Sequence, residues 1–112
     1  MKIGLVLEGG AMRGLFTAGV LDIFLDNNVE VTDVVGVSAG TLFGVNYVSK
    51  QRGRALRYNL KYINDKRYMN VKSWVRTGNL INKDFTYYKL PFQLDVFDNK
   101  NIIFSWIEFV FW

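Results

Sequence analysis

The chain has 112 residues, of which half are hydrophobic and 16% aromatic, a composition that favours one small globular domain over a disordered segment. It contains neither cysteine nor histidine, which excludes disulfides, thiolate nucleophiles, cysteine-based metal sites and a Ser-His-Asp triad built from this chain alone. The net charge of +4 favours anionic partners without identifying one. Without a secretory signal or a run of 18 apolar residues, the expected location is the cytoplasm.

The first fifty residues alternate between strand patterns and helix patterns. An aliphatic run over residues 2–7 predicts a strand that is buried on both faces. A helix is predicted over residues 15–25, a second strand over 34–37 and a second helix over 41–48. The predicted apolar face of the first helix consists of Phe16, Val20, Ile23 and Phe24. This order predicts an α/β fold with a parallel sheet, helices on both of its faces and a functional site at the carboxyl ends of the strands.

A glycine-rich loop follows the first predicted strand and leads into the first helix. It consists of Gly9, Gly10, Ala11, Met12, Arg13 and Gly14. Adjacent glycines allow a tight turn and present N–H groups to an anion or an oxyanion, and Arg13 adds a positive charge. A tight turn that binds nothing has the same pattern, so the loop alone does not decide between these interpretations.

The pentapeptide at residues 36–40 reads Gly-Val-Ser-Ala-Gly and lies between the second strand and the second helix. This is the setting of a nucleophile elbow, in which a serine on a sharp turn points its hydroxyl out of the sheet edge. Gly36 and Gly40 leave room where side chains would clash, and Ser38 precedes a helix N-terminus that can stabilise negative charge. The alternative is a small-residue turn in which the serine is incidental.

A nucleotide-binding module is a second functional alternative, because it also begins with a strand, a Gly-x-Gly-x-x-Gly loop and a helix. Here Ala11 stands where the second glycine must admit a pyrophosphate. The acidic residue expected past the second strand is missing, since Asp33 precedes that strand and Ser38 follows it. We therefore rank nucleotide binding below the serine interpretation.

Taken together, the glycine-rich loop and the pentapeptide resemble the N-terminal half of the patatin-like phospholipase family, and the resemblance extends with less motif support to about residue 97. It implies a three-layer α/β/α fold and hydrolysis of a lipid acyl ester, phospholipid or other, with no metal or cofactor. It implies that Ser38 is the nucleophile and that the N–H groups of the loop form the oxyanion hole, supported by Arg13. The family's Ser-Asp dyad needs no histidine. Ala11 replaces the usual third glycine, which is a small change.

A basic segment follows over residues 50–67, with seven basic residues and one acidic residue. The basic residues are Lys50, Arg52, Arg54, Arg57, Lys61, Lys66 and Arg67. Ala55, Leu56, Leu60 and Ile63 are interleaved at roughly helical spacing, which predicts an amphipathic helix. A solvated basic face is the favoured interpretation, and peripheral contact with an anionic membrane surface stays open. Nucleic acid binding is not indicated.

The rest of the chain predicts a short helix over residues 68–78 and a break at Pro91. Aromatic residues in this part could line an acyl-chain pocket or belong to the core: Trp74, Phe85, Tyr87, Tyr88 and Phe92. Residues 98–112 form an atypical hydrophobic end, since nine of the last twelve residues are large and apolar.

The family's dyad aspartate lies in an Asp-Gly-Gly or Asp-Gly-Ala motif, and none of the seven aspartates here is followed by glycine. The base is therefore missing from this chain. We expect residues 1–112 to be the N-terminal portion of one patatin-like domain, truncated or frame-shifted, or else an inactive remnant. The oligomeric state is left open.

Overall fold

The computed structural model describes residues 1–66, 89 and 93–95. Within these residues the elements are, in chain order, β1 (Gly4–Leu7), a short 3₁₀ helix (Ala11–Arg13), α1 (Gly14–Asp26), β2 (Asp33–Gly36), α2 (Ala39–Val48) and α3 (Arg54–Tyr62). The alternation of strands and helices confirms the predicted α/β class. The described residues fall into two compact units, and the second begins at Arg57. The predictions for residues 68–78, for the later aromatic residues and for the hydrophobic end lie outside the described residues.

The two strands form a parallel pair whose register aligns Gly4 with Asp33 and Leu7 with Gly36. Leu7 and Val34 are buried on one face of the sheet, whereas Val6, on the opposite face, is 78% exposed. The prediction that the first strand is buried on both faces is therefore wrong for the described structure. An aliphatic run indicates a strand, but it carries no information about which element covers each face.

The first helix, α1, packs through its small residues. Its buried residues are Gly14, Ala18 and Leu21, whereas Phe16 is 81% exposed. The predicted apolar face is therefore wrong as the buried face, since Val20 and Ile23 are exposed as well and Phe24 is half-buried. The reason is that glycine and alanine allow a neighbouring helix to approach closely, and a pattern of large apolar residues does not reveal such a contact.

The central helix, α2, lies between α1 and the sheet. A side-chain Cβ at Gly14 would be 3.2 Å from the Cβ of Ala39, so the two helices meet at their first turns. On its other side, a Cβ at Gly44 would be 2.8 Å from Leu7 Cδ1. The Tyr47 hydroxyl donates a hydrogen bond of 2.6 Å to the Val29 carbonyl and so joins α2 to the connection between α1 and β2. Most of α2 is buried because α1, the sheet and this connection all contact it.

Within residues 50–66, the basic segment is helical only over α3. Five of its six basic residues in this range are exposed, as predicted for a solvated face, and Arg54 is the exception. The Arg54 side chain is buried and donates a hydrogen bond of 2.8 Å to Asn46 Oδ1. Arg52 donates two hydrogen bonds, of 2.5 and 2.9 Å, to the Asp26 carboxylate. The prediction of a solvated basic face is therefore wrong for Arg54, because a buried polar side chain with a specific acceptor has a packing role.

In the second unit, Arg57 donates two hydrogen bonds to the Asp95 carboxylate, at 3.0 and 2.9 Å. The hydrogen bonds raise the pKa of Arg57, and the Coulombic attraction of the same carboxylate adds to this effect. Leu60 and Ile63 are exposed, whereas Tyr58 and Tyr62 are buried, so the buried face of α3 is not the predicted aliphatic one.

No helix in the part of the chain that the structure describes is long and apolar enough to cross a bilayer.

Candidate active site

The glycine-rich loop and Ser38 lie at the same edge of the sheet, because they follow the carboxyl ends of two parallel strands. The Val37 N–H donates to the Leu7 carbonyl at 3.0 Å, so the strand pairing continues up to the residue before Ser38. A Cβ at Gly9 would lie 3.3 Å from the Cβ of Ser38. The start of the loop is therefore in contact with the serine turn, as predicted from the chain order.

Ser38 has a strained backbone conformation and an exposed side chain. Its φ of 53° and ψ of −119° are sparsely populated by residues other than glycine, and such a conformation costs on the order of 1–3 kcal/mol. The Ser38 hydroxyl does not cap α2, and it has no hydrogen-bond partner among the described residues. A serine with a strained backbone and an exposed hydroxyl that has no hydrogen-bond partner among the described residues can react with a ligand at this edge, as in a nucleophile elbow.

Gly36 and Gly40 allow the backbone of the turn to approach its neighbours closely. A Cβ at Gly40 would collide with the Leu7 carbonyl oxygen and lie 2.7 Å from that of Glu8. At Gly36, a Cβ would lie 2.7 Å from the Thr41 nitrogen. Both positions therefore require glycine for steric reasons, which agrees with the expectation from the pentapeptide.

Hydrogen bonds hold the serine turn on its helix side. The Ser38 carbonyl accepts from the N–H groups of Thr41 and Leu42, at 3.0 and 3.2 Å. The Val37 carbonyl accepts from the Gly40 N–H at 2.9 Å. The Thr41 hydroxyl, which sequence reasoning missed, donates to the Gly36 carbonyl at 2.6 Å. A threonine directly after the second glycine of the pentapeptide does not by itself indicate this bond.

The glycine-rich loop ends in the short 3₁₀ helix, whose first N–H groups belong to Ala11 and Met12. The first N–H groups of a helix have no acceptor within it, and none of the described residues accepts a hydrogen bond from these two. Ala11 has a φ of 46°, and the Arg13 N–H closes the turn on the Gly10 carbonyl at 3.0 Å. The Arg13 side chain lies beside Gly10, whose Cβ would be 3.8 Å from Arg13 Nε. The loop thus combines available donors with a positive charge.

No carboxylate among the described residues forms a hydrogen bond with the Ser38 hydroxyl, and several are engaged elsewhere. Asp33 accepts from the Thr32 hydroxyl at 2.7 Å, at the opposite end of β2. Asp22 accepts from the Gly53 N–H at 3.0 Å. Asp26 and Asp95 bind arginines, as described above. Asp84 and Asp98 lie outside the described residues.

The comparison with known families decides what kind of domain holds this site. The sequence model of the family described as patatin-like phospholipase matches residues 5–105. The chain belongs to the patatin-like phospholipase family. The resemblance that was inferred from the loop and the pentapeptide is confirmed. The patatin-like match begins in β1 and includes the glycine-rich loop, the serine turn and all three helices.

Two curated proteins resemble this patatin-like chain over much of its length. The uncharacterized protein YjjU of Escherichia coli (strain K12) is 36% identical over 99 residues, which are 84% of this chain and 28% of YjjU. Protein M110.7 of Caenorhabditis elegans, provisionally named a patatin-like phospholipase domain-containing protein, is 34% identical over 74 residues, which are 66% of this chain and 7% of M110.7. The chain thus spans less than a third of the length of either relative. No solved structure matches it significantly.

Proposed function

We propose that this chain carries the nucleophile and the oxyanion donors of a serine hydrolase that cleaves lipid acyl esters, either phospholipids or other esters. The observation that carries the proposal is the strained, exposed Ser38 in contact with a glycine-rich loop that has available N–H donors. Family membership supports the lipid class of substrate. On this proposal, residues 1–112 form the N-terminal portion of one patatin-like domain.

The proposed reaction begins with attack of Ser38 Oγ on the ester carbonyl carbon. The serine proton passes to a base, and the carbonyl oxygen becomes an oxyanion that accepts hydrogen bonds from the N–H groups of Ala11 and Met12. The positive charge of Arg13 favours the same oxyanion. Collapse of the tetrahedral intermediate expels the alcohol, which takes up the proton, and water then releases the acyl group from Ser38.

The base in this scheme is an aspartate that is not assigned to any residue of the chain. A general base typically contributes 10²–10⁴-fold to the rate. The chain by itself should therefore acylate slowly, and a small soluble base such as imidazole should accelerate the reaction. This behaviour would distinguish a competent serine that lacks its base from a serine that has no catalytic role.

The test is release of p-nitrophenolate from p-nitrophenyl butyrate, with and without imidazole. We expect one equivalent to be released in a burst, faster with imidazole, and no burst from Ser38→Ala. Ser49→Ala is the matched control, because Ser49 is a buried serine at the other end of α2 that donates to the Val45 carbonyl at 2.7 Å. Equal release by Ser38→Ala and the unchanged chain would overturn the proposal. No burst in any variant would favour an inactive remnant.

Contact with a membrane surface is not part of this proposal. The arginines that would form a basic face are engaged: Arg52 with Asp26, and Arg54 with Asn46. Arg57 is likewise bound to Asp95 in the second unit. Arg54 is buried, and carboxylates offset the charge of Arg52 and Arg57, so the structure gives no particular support to this alternative.

A further inference from the structure

Thr41 lies in the first turn of α2, and its side chain is buried, with 5% of its surface exposed. We propose that Thr41 is a positioning residue that holds Ser38 in its reactive conformation. The proposal rests on the proposed function of Ser38 as a nucleophile. Thr41 does not need to touch the substrate, because it acts through the backbone of the serine turn.

Two hydrogen bonds from Thr41 bracket the turn that contains Ser38. The Thr41 N–H donates to the Ser38 carbonyl at 3.0 Å. The Thr41 hydroxyl donates to the Gly36 carbonyl at 2.6 Å, and so reaches the last residue of β2. One residue thus fixes the strand end and the serine itself relative to the same helical turn.

The backbones of Thr41 and Gly36 are so close that neither residue has much room to move. A Cβ at Gly36 would lie 2.7 Å from the Thr41 nitrogen and 2.8 Å from its Cα. The hydroxyl is therefore held at a short distance from a buried carbonyl. Loss of the hydroxyl removes a donor from that carbonyl, and a buried acceptor that loses a donor destabilises its surroundings.

The strain at Ser38 explains why this bond should affect reactivity. A residue with a φ of 53° keeps that conformation only when its neighbours fix it from several sides. The flanking carbonyls of Gly36, Val37 and Ser38 are each held by a donor from the first turn of α2. If the bond to Gly36 is lost, we expect Ser38 to relax toward an ordinary turn and its hydroxyl to leave the loop.

The test compares Thr41→Val, which keeps the shape and removes the hydroxyl, with Thr41→Ser, which keeps the hydroxyl. Ser49→Ala is the control, because it removes a buried hydroxyl bond at the other end of the same helix. The first readout is the rate of Ser38 labelling by a fluorophosphonate at saturating probe. The second is hydrogen exchange of the Leu42 amide, which donates to the Ser38 carbonyl and reports on the turn without any catalysis.

We expect Thr41→Val to label about 10-fold more slowly or worse, since a misplacement of 1 Å can cost on the order of 10²-fold. Its Leu42 amide should exchange faster, while Thr41→Ser and Ser49→Ala should resemble the unchanged chain in both readouts. Equal labelling of Thr41→Val and the unchanged chain would overturn the proposal, as would an equal loss in Ser49→Ala.

If Ser38 is not a nucleophile, labelling and amide exchange give a different pattern. If the unchanged chain does not label at Ser38, the hydrolase proposal fails, and amide exchange alone decides whether Thr41 holds the turn. Unchanged exchange in Thr41→Val would then overturn the positioning role as well. If Thr41→Val does not fold, Thr41→Ala removes the same hydroxyl with less crowding and takes its place in both readouts.

Discussion

At the scale of single residues, the serine turn depends on positions where a backbone atom of a neighbour occupies the place of a side chain. Gly36 and Gly40 have no room for a Cβ, and Ser38 has a φ that favours glycine. These features could be predicted from the pentapeptide, because the steric needs of a sharp strand-to-helix turn dictate its residues. The hydrogen bond from the Thr41 hydroxyl could not be predicted, since threonine is also common on helix surfaces without such a role.

Gly40→Ala should unfold or strongly destabilise the chain, because its Cβ would collide with carbonyl oxygens at the end of β1. Overpacking of a filled site typically costs 1–3 kcal/mol, and backbone atoms can move less than side chains. The matched control is Gly19→Ala in α1, where a Cβ would meet nothing within 4 Å. Alanine there should stabilise the chain by about 0.5–1 kcal/mol. Urea unfolding measures both, and similar effects at the two sites would contradict the packing described for the turn.

At the scale of the elements, α1 and the segment before α3 are joined by an ion pair and by the hydrogen bond from the Gly53 N–H to Asp22. Arg52 donates two hydrogen bonds to Asp26, the last residue of α1. These hydrogen bonds, together with the Coulombic attraction of the guanidinium, lower the pKa of Asp26. A carboxyl whose pKa is lower in the folded state stabilises that state above its unfolded pKa, and the stabilisation is lost as the pH falls through the folded value.

Asp26→Asn should therefore reduce the loss of stability that occurs in acid. We expect a small destabilisation near pH 7, where the carboxylate is ionised in both states. The difference should begin to shrink as the pH falls to about 4, near the unfolded pKa, and should vanish only below the lower pKa of the folded state. Thermal unfolding over this range measures the effect. Arg52→Gln removes the other partner and should flatten the acid response in the same way. An acid response that is unchanged in both variants would show that the pair does not contribute to folding.

At the scale of the whole molecule, the described residues form a sheet that helices cover on one face. Val34 is 7% exposed, whereas Val6, one position along on the neighbouring strand, points to the opposite face and is 78% exposed. The chain spans only 28% of the length of YjjU. Among the described residues, the face of the sheet that contains Val6 is therefore exposed.

Val6→Ala and Val34→Ala make the same change on opposite faces of the sheet. Val34→Ala should cost about 2 kcal/mol, because it removes buried methyl groups and leaves a cavity beside α2. Val6→Ala should cost less than about 1 kcal/mol, within the range of strand propensity alone. Urea unfolding of the two variants measures the difference. Equal costs would show that the face of Val6 is covered in solution.

The α/β class and the placement of Ser38 against the loop could be predicted, because local patterns and parallel pairing determine them. The chain order alone brings Gly9 and Ser38 to one sheet edge. The buried face of α1 could not be predicted, since Gly14 and Ala18 pack by being small rather than by being apolar and large. The burial of Arg54 was also hidden, because its acceptor, Asn46, is supplied by another helix.

The most direct measurement is fluorophosphonate labelling of the intact chain, followed by mass spectrometry to locate the modified residue. If Ser38 is the nucleophile, a single adduct should form at Ser38, more quickly with added imidazole, and none should form in Ser38→Ala. The other serines, including the buried Ser49, should stay unmodified. An adduct elsewhere, or equal labelling of Ser38→Ala, would contradict the assignment of Ser38 as the nucleophile of a patatin-like acyl hydrolase.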